Sequence, residues 1–330
     1  MANDFSANDV VALTRKLVSI PGVNPVLADR DVAIAGEHRM AEFLDAYLTQ
    51  RGFDCQRFEK THGRPNIMAT YPCATKRRRL IIEAHLDTQG IHGMTVPPFE
   101  GRLADGRIYG RGACDMKGPM AAALVNFTDE RLRRLSQAGV ELVFIGAIGE
   151  ETGNIGALEF VESGFAAEEI LVLEPTDLHV VHAHKGAFWF EIDIKGLAAH
   201  GSNPEKGVNA ISAAGPVIDA VQKQVAGSRF HSALLGRPTA NIGTIRGGSS
   251  VNIVPDQCII QVDRRTVPGE HSARILEELR TSLDRIVADG VMRGYELRMI
   301  KEGVPFETSA ETNLVRRLCR ACDALGVAIP

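Results

Sequence analysis

Residues 79–88 read Arg79-Leu80-Ile81-Ile82-Glu83-Ala84-His85-Leu86-Asp87-Thr88, an apolar run that ends in an imidazole and a carboxylate. A short Ile-rich run of this kind suits a strand buried on both faces. Two other runs share the pattern. Residues 142–147 (LVFIGA) lead to Gly149-Glu150-Glu151-Thr152, and residues 170–173 (ILVL) lead to Glu174-Pro175-Thr176. Apolar residues at helical spacing lie over 10–19, 37–50, 116–135 and 155–162. Alternating strand and helix predicts a sheet with helices on both sides. Such sheets form their sites at the carboxyl ends of the strands, where these polar clusters fall.

The pattern changes near Lys185. Residues 187–194 (AFWFEIDI) alternate, as a half-solvated antiparallel strand does. Helix 209–224, strands 239–245 and 258–263, and helix 272–288 follow. A strand at 295–301 and a helix at 313–325 close the chain. The pattern predicts an α+β insert at 186–298 within an α/β domain made of 1–185 and 299–330.

Composition narrows the class. The chain has 330 residues, 45% of them hydrophobic, which is enough for a large core. Lys and Arg number 37 against 41 Asp and Glu, a net charge of −4, so no basic field draws nucleic acid. The basic run Lys76-Arg77-Arg78-Arg79 reads as a solvated face. No apolar stretch reaches the ~18 residues of a membrane span. Met1-Ala2-Asn3-Asp4-Phe5 carries no basic and no apolar signal region. The six cysteines are scattered, and Cys319 and Cys322 read as small helix residues one turn apart. A soluble, cytoplasmic protein with no nucleic-acid or membrane partner is expected.

A fourth polar cluster sits in a glycine-bracketed loop, Gly110-Arg111-Gly112-Ala113-Cys114-Asp115-Met116-Lys117-Gly118. A single His at a strand end is usually a satisfied polar residue, and a Glu-Glu pair is usually solvated. Four such clusters around one sheet point instead to a metal-binding centre.

AHLDT (84–88), GRGACDMKG (110–118), GEET (149–152) and LEPT (173–176) together resemble the M20 family of metallohydrolases. Further segments are similar to its acetylornithine deacetylase and succinyl-diaminopimelate desuccinylase branch: EPTDLHVVHAHKG, AAHGSNPEKGVNAI, ANIGTIRGGSSVNIVPD and VDRRTVPGE. The resemblance spans His85 to Glu270. It implies a zinc-exopeptidase-like α/β/α catalytic domain with an inserted α+β lid and dimerisation domain. It also implies hydrolysis of the amide bond of an N-acyl amino acid, in amino-acid metabolism such as arginine biosynthesis.

By the same resemblance His85 and Glu174 would hold one metal, Asp115 would bridge, and Glu151 would hold a second. Imidazole with carboxylate suits Zn²⁺ or Co²⁺. Asp87 would accept the ring N–H of His85, and Glu150 would be the general base. His200 would reach the active site of the other subunit of a homodimer joined through the lid, donating to the developing oxyanion. Asn252 and Arg265 would contact substrate, Arg265 clamping a carboxylate. Asp263 and Arg265 share one face of their strand and Arg264 points the other way. His182 and His184 are expected to be structural.

In the family a later segment supplies a second-metal His. No His follows His271 here, so the second site is expected to be incomplete and the chain, which closes on Ala328-Ile329-Pro330, to be a truncated form. Three functions compete: an acetylornithine deacetylase-like enzyme, an aminoacylase or dipeptidase of the same family, and a non-catalytic relative. Intact Asp87, Glu150 and His200 favour the enzymes.

Overall fold

The structure, a computed structural model, describes residues 9–326. The N-terminal residues 1–5 and the closing residues 328–330, on which two of the expectations above rest, lie outside that range. The chain divides into two units between Leu178 and His179.

The first unit opens with helices α1 (Asp9–Val18) and α2 (His38–Thr49) and a hairpin, β1 (Asp54–Thr61) and β2 (Arg64–Thr70). Strand β3 (Arg78–His85) and a small hairpin, β4 (Arg102–Ala104) and β5 (Arg107–Tyr109), come next. Helices α3 (Gly118–Val125) and α4 (Asp129–Gln137), strand β6 (Val140–Ala147), helix α5 (Ile155–Glu162) and strand β7 (Glu169–Val172) complete it. The sheet order is β1-β2-β6-β3-β7. Strand β3 runs parallel to β6 and β7, with His85 beside Ala147 and Glu83 beside Val172. The carboxyl ends of all three strands therefore share one edge.

Strand β6 is buried on both faces. Leu142 and Phe144 pack with Leu17, Leu44, Met120 and Leu124 from α1, α2 and α3. Val143 and Ile145 pack with Phe160 of α5 on the other side. Each such side chain contributes ~1.5–3 kcal/mol by leaving water. A one-residue slip of β6 would exchange the two faces, so the register that delivers the site is held by the core.

One expectation is corrected here, and one hairpin is added. The single helix over 116–135 is two helices, because Thr128 caps α4 by accepting from the Arg131 N–H, with Asp129 and Glu130 in the first turn. Asp115 and Met116 lie before α3 in non-helical conformation. Hairpin β1–β2 carried no strand reading: β1 is a mostly exposed, polar edge strand, and Pro65 interrupts the pattern of β2.

The second unit holds β8 (Ala183–His184), β9 (Gly186–Lys195), α6 (Ala210–Ala226), β10 (Thr239–Gly247), β11 (Gln257–Thr266), α7 (Ser272–Ala288), β12 (Gly294–Gly303), β13 (Phe306–Glu307) and α8 (Asn313–Ala324). Its sheet is antiparallel, in the order β10-β11-β9-β12. Phe188, Phe190, Ile192 and Ile194 alternate inward on β9 and meet α6 and α7. The opposite face carries Trp189, Glu191, Asp263 and Arg265.

The division differs from the expected one, which returned 299–330 to the first domain. Strand β12 runs past residue 298 as the partner of β9, and β13 pairs with β8, so the described residues from 299 to 326 lie with the second unit. Backbone pairing drew them there; the hydropathy of 295–301 does not reveal a partner.

Candidate active site

His85 ends β3 and is 2% exposed. Its Nε2 lies 2.9 Å from Asp115 Oδ1 and 3.8 Å from Glu174 Oε1. His85, Asp115 and Glu174 each offer a ligand atom, and these lie within 4.8 Å of one another. His85, Glu150 and Glu151 form a second such group. Three parallel strand ends and one loop thus bring five side chains to one point.

The other ring nitrogen, Nδ1, lies 2.9 Å from the main-chain oxygen of Asp87 and 3.6 Å from its carboxylate. The expected bond from the ring to the Asp87 carboxylate is therefore to the Asp87 carbonyl instead, and it leaves Nε2 facing the acids. The carboxylate is engaged elsewhere. It accepts the N–H of Glu150 at 3.1 Å and of Glu151 at 3.2 Å, and the Nδ2–H of Asn24 at 2.7 Å. Asp87, 1% exposed, thus ties the strand end that carries His85 to the turn that carries both glutamates.

Sequence reading missed Asn24, which is fully buried. Its amide donates to Asp87 and to Thr152 Oγ1 at 2.8 Å, while its Oδ1 accepts from the Val26 N–H. Pro21-Gly22-Val23-Asn24-Pro25 announces a turn and nothing more. Gln89 was also missed: its Nε2 donates to Glu151 Oε2 at 2.6 Å. Two glycines shape the loops. At Gly112, φ is +76° and a Cβ would meet Thr88 Cγ2 at 2.7 Å. At Gly149, φ is +69° and a Cβ would meet Ile155 at 2.5 Å.

The electrostatics are those of a site short of positive charge. Burial would lower His85, but Asp115, Asp87 and Glu174 outweigh it and push the ring up to about 11. Glu174 is pushed up to about 7 by burial and by Glu150, Asp115 and Glu151, against His85. Glu83, two residues before His85, is likewise pushed up to about 7, by burial first. Burial raises Glu150 and Glu151 too, with the charges of Asp115 and Asp87 adding to it and, for Glu150, that of Glu151. Asp87 goes the other way: burial would raise it, but the His85 ring 3.6 Å away and the hydrogen bonds from Asn24 and the Glu150 N–H hold it below its ordinary value. Crowded acids that hold protons around a cationic imidazole are what a divalent ion would relieve. One imidazole nitrogen and several carboxylates are also a donor set that Zn²⁺ and Co²⁺ accept. The residues fit a metal.

His200, Asn252 and Arg265 all lie in the second unit. His200 is exposed and contacts Ser202. The main-chain oxygen of Asn252 accepts the Gly201 N–H at 2.7 Å, so the two segments run side by side. Arg265 holds Asp263 at 3.0 Å, and Asp263 also accepts the indole N–H of Trp189 at 2.8 Å. Arg264 is buried and paired with Glu270 at 2.6 Å. His182 contacts the Thr308 carbonyl, and His184 lies against the Phe306 ring. Among the basic run, Lys76 and Arg79 both meet Glu141.

Residues 182–291 match the M20 peptidase dimerisation domain, and residues 66–227 match peptidase family M28. The chain is 31% identical over 295 residues to an acetylornithine deacetylase of Myxococcus xanthus, covering 86% of this chain and 76% of that one. This chain belongs to the M20 family of metallohydrolases. As a member it is a hydrolase of a metal-dependent family. Aminopeptidase PepT of Bacillus cereus superposes with a TM-score of 0.76 at 21% identity, covering 99% of this chain and 84% of that one. A dinuclear metal-binding M20 peptidase of Bacillus subtilis superposes at 0.65 and 18% identity, covering 98% and 81%. These two likenesses carry the fold. No helix among the described residues is long and apolar enough to cross a membrane.

Proposed function

We propose that this M20 hydrolase cleaves the amide bond of an N-acyl amino acid, with N-acetylornithine as the substrate to try first, in the manner of an arginine-biosynthetic deacetylase of the cytoplasm. The convergence of His85, Asp115, Glu150, Glu151 and Glu174 at one edge of the sheet carries the reading of amide hydrolysis. The Myxococcus xanthus relative supports the choice of substrate.

His85, Asp115 and Glu174 would hold one Zn²⁺ or Co²⁺, and Asp115 with Glu151 would hold a second. When bound, such ions polarise the scissile carbonyl and acidify water. The other work falls to the chain. Glu150, raised by burial and by neighbouring acids, is suited to take a proton from the attacking water and hand it to the departing nitrogen. A C–O bond forms, the C–N bond breaks, and a carboxylic acid and a free amine leave. Asp87 and Asn24 keep Glu150 and Glu151 in place through the main chain. In the second unit, His200 would donate a hydrogen bond to the carbonyl oxygen as charge develops on it. Asn252 and Arg265 would bind the amino-acid portion, with Arg265 turning from Asp263 to the substrate carboxylate.

A homodimer joined through the second unit would place each His200 at the partner's site. An equal mixture of His200→Ala and Glu150→Ala chains tests this. Half of the dimers would be mixed, each with one intact site of two, so about a quarter of wild-type activity should return. No recovery, with mixed dimers shown to form, would place His200 in its own chain's site or outside catalysis. A panel of N-acetyl amino acids and dipeptides tests the substrate class. Preference for dipeptides would favour the dipeptidase alternative. No turnover by metal-loaded chain would overturn the enzyme reading.

A further inference from the structure

We infer that Ser202 is a positioning residue that fixes the tautomer of His200, so that this histidine acts as a neutral donor through Nε2. The main-chain N–H of Ser202 lies 3.2 Å from His200 Nδ1. A peptide N–H can only donate, so Nδ1 must present its lone pair and the ring proton must sit on Nε2. The Ser202 hydroxyl strengthens this. It lies 2.8 Å from the same Nδ1, which already accepts the peptide N–H and carries no proton to give, so the hydroxyl donates to the ring while accepting from Asn203 Nδ2 at 3.0 Å. A turn closed by the Asn203 N–H on the His200 carbonyl, at 2.9 Å, sets Ser202 in place. The backbone behind it is held as well, by Gly201 N–H to the Asn252 carbonyl and Val254 N–H to the Ala199 carbonyl.

An exposed histidine without such contacts samples both tautomers and several ring orientations. Here one ring nitrogen is saturated by donors two residues away, and the other is left as a single N–H with a fixed direction. A neutral N–H fits a carbonyl oxygen that gains negative charge during reaction, and it needs no proton from solution. This consequence for catalysis rests on the reading of His200 proposed above. The tautomer does not.

The test uses the 330-residue chain labelled with ¹⁵N-histidine. Two-bond ¹H–¹⁵N correlations report which ring nitrogen carries the proton, and the His200 signals are those lost in His200→Gln. Wild type should show the Nε2–H form. Ser202→Ala keeps the peptide donor but loses the hydroxyl, and should lower the ratio of Nε2–H to Nδ1–H about fivefold, the effect of one ordinary hydrogen bond. Ser202→Thr should restore it. In turnover, Ser202→Ala should lower kcat by less than that factor, following the Nε2–H fraction, with KM unchanged and restored by Thr. A wild-type Nδ1–H form, or an unchanged ratio in Ser202→Ala, would overturn the inference. If the tautomer results hold while His200→Gln turns over normally, the catalytic reading of His200 fails and the assignment of its tautomer stands.

Discussion

The two units hold their candidate site residues in opposite ways. In the first, the bracing contacts join distant parts of the chain: Asn24 to Asp87, Asn24 to Thr152, Asp87 to the Glu150 and Glu151 amides, Gln89 to Glu151. They span 62 to 128 residues and centre on two buried groups. In the second, His200 is held by Ser202, Asn252 by Ser250 and Arg265 by Asp263, each two residues away and exposed. The difference follows from charge. Five mutually repelling or cationic groups at one point need rigid outside support, whereas a single donor in water needs only its direction set. Substitutions should therefore cost much in the first unit and little in the second.

The largest effect is expected within the cluster itself. Glu150→Ala should reduce kcat by ~10²–10⁴, the usual contribution of a general base, with metal content nearly unchanged. Glu151→Ala should lose metal as well as activity. Geometry makes this a sharp test, because both carboxylates reach His85 within the same 4.8 Å. Equal metal loss in the two variants, measured by elemental analysis, would make both of them ligands and remove the division of labour.

Next comes Asn24→Ala. It takes the amide donor from a buried carboxylate and leaves Thr152 without its partner. Losses behind a metal ligand typically cost ~10–100-fold in metal affinity or activity. An unpaired buried acceptor costs ~1–3 kcal/mol in stability. Titrating metal into the purified variant and following its melting checks both. If Asn24→Ala binds metal and turns over as wild type does, long-range bracing is not what holds the first site.

That contrast also decides what could be read from the sequence. Strand ends at 79–88, 142–152 and 170–176 were legible because apolar runs bounded by turns declare themselves, and the helix at 272–288 was found at both of its ends. The alternation of 187–194 and 258–263 gave the second sheet and placed Arg264 opposite Arg265. Asn24 was not legible, since its partners lie 63 and 128 residues away and nothing local marks it. The Asp87 contact was half legible. The family resemblance put it beside His85, but only folding shows that its carbonyl takes the ring while its carboxylate takes two amides. Strand β1 was hidden because an edge strand can be polar.

The electrostatic stress of the first site should appear in its pH dependence. Glu83 and Glu174 hold protons up to about 7 in the fold, against an ordinary 4.5. Between those values the metal-free fold binds protons that the unfolded chain does not, so stability falls as pH rises through the window. His85, held up to about 11 against 6.5, acts in the same sense above its ordinary value. Asp87 acts oppositely, but its lowered value confines it to pH below about 4. Chelated protein should therefore melt several degrees higher at about pH 5.5 than at about pH 8. Added Zn²⁺ should reverse the order, because metal binds the deprotonated ligands. Parallel melting curves with and without metal would mean that the cluster is not the ion's site.

The smallest effect is expected at Asp263→Asn. Asp263 pairs with Arg265 at 3.0 Å on a partly exposed sheet face, and such pairs are worth ~0–1 kcal/mol. An Asn there can still accept the Trp189 indole N–H, so the strand should fold unchanged. What changes is the competition for Arg265. The guanidinium faces Asp263, and in the role proposed for it Arg265 would have to leave that carboxylate to reach one on a substrate. Removing the competing charge should lower KM by up to about fivefold for substrates with a free carboxylate, leave kcat within twofold, and do nothing for substrates amidated there. A fall in kcat comparable to that of Asn24→Ala would show that Asp263 supports the site as Asp87 does. The second unit would then be braced by residues that only look local.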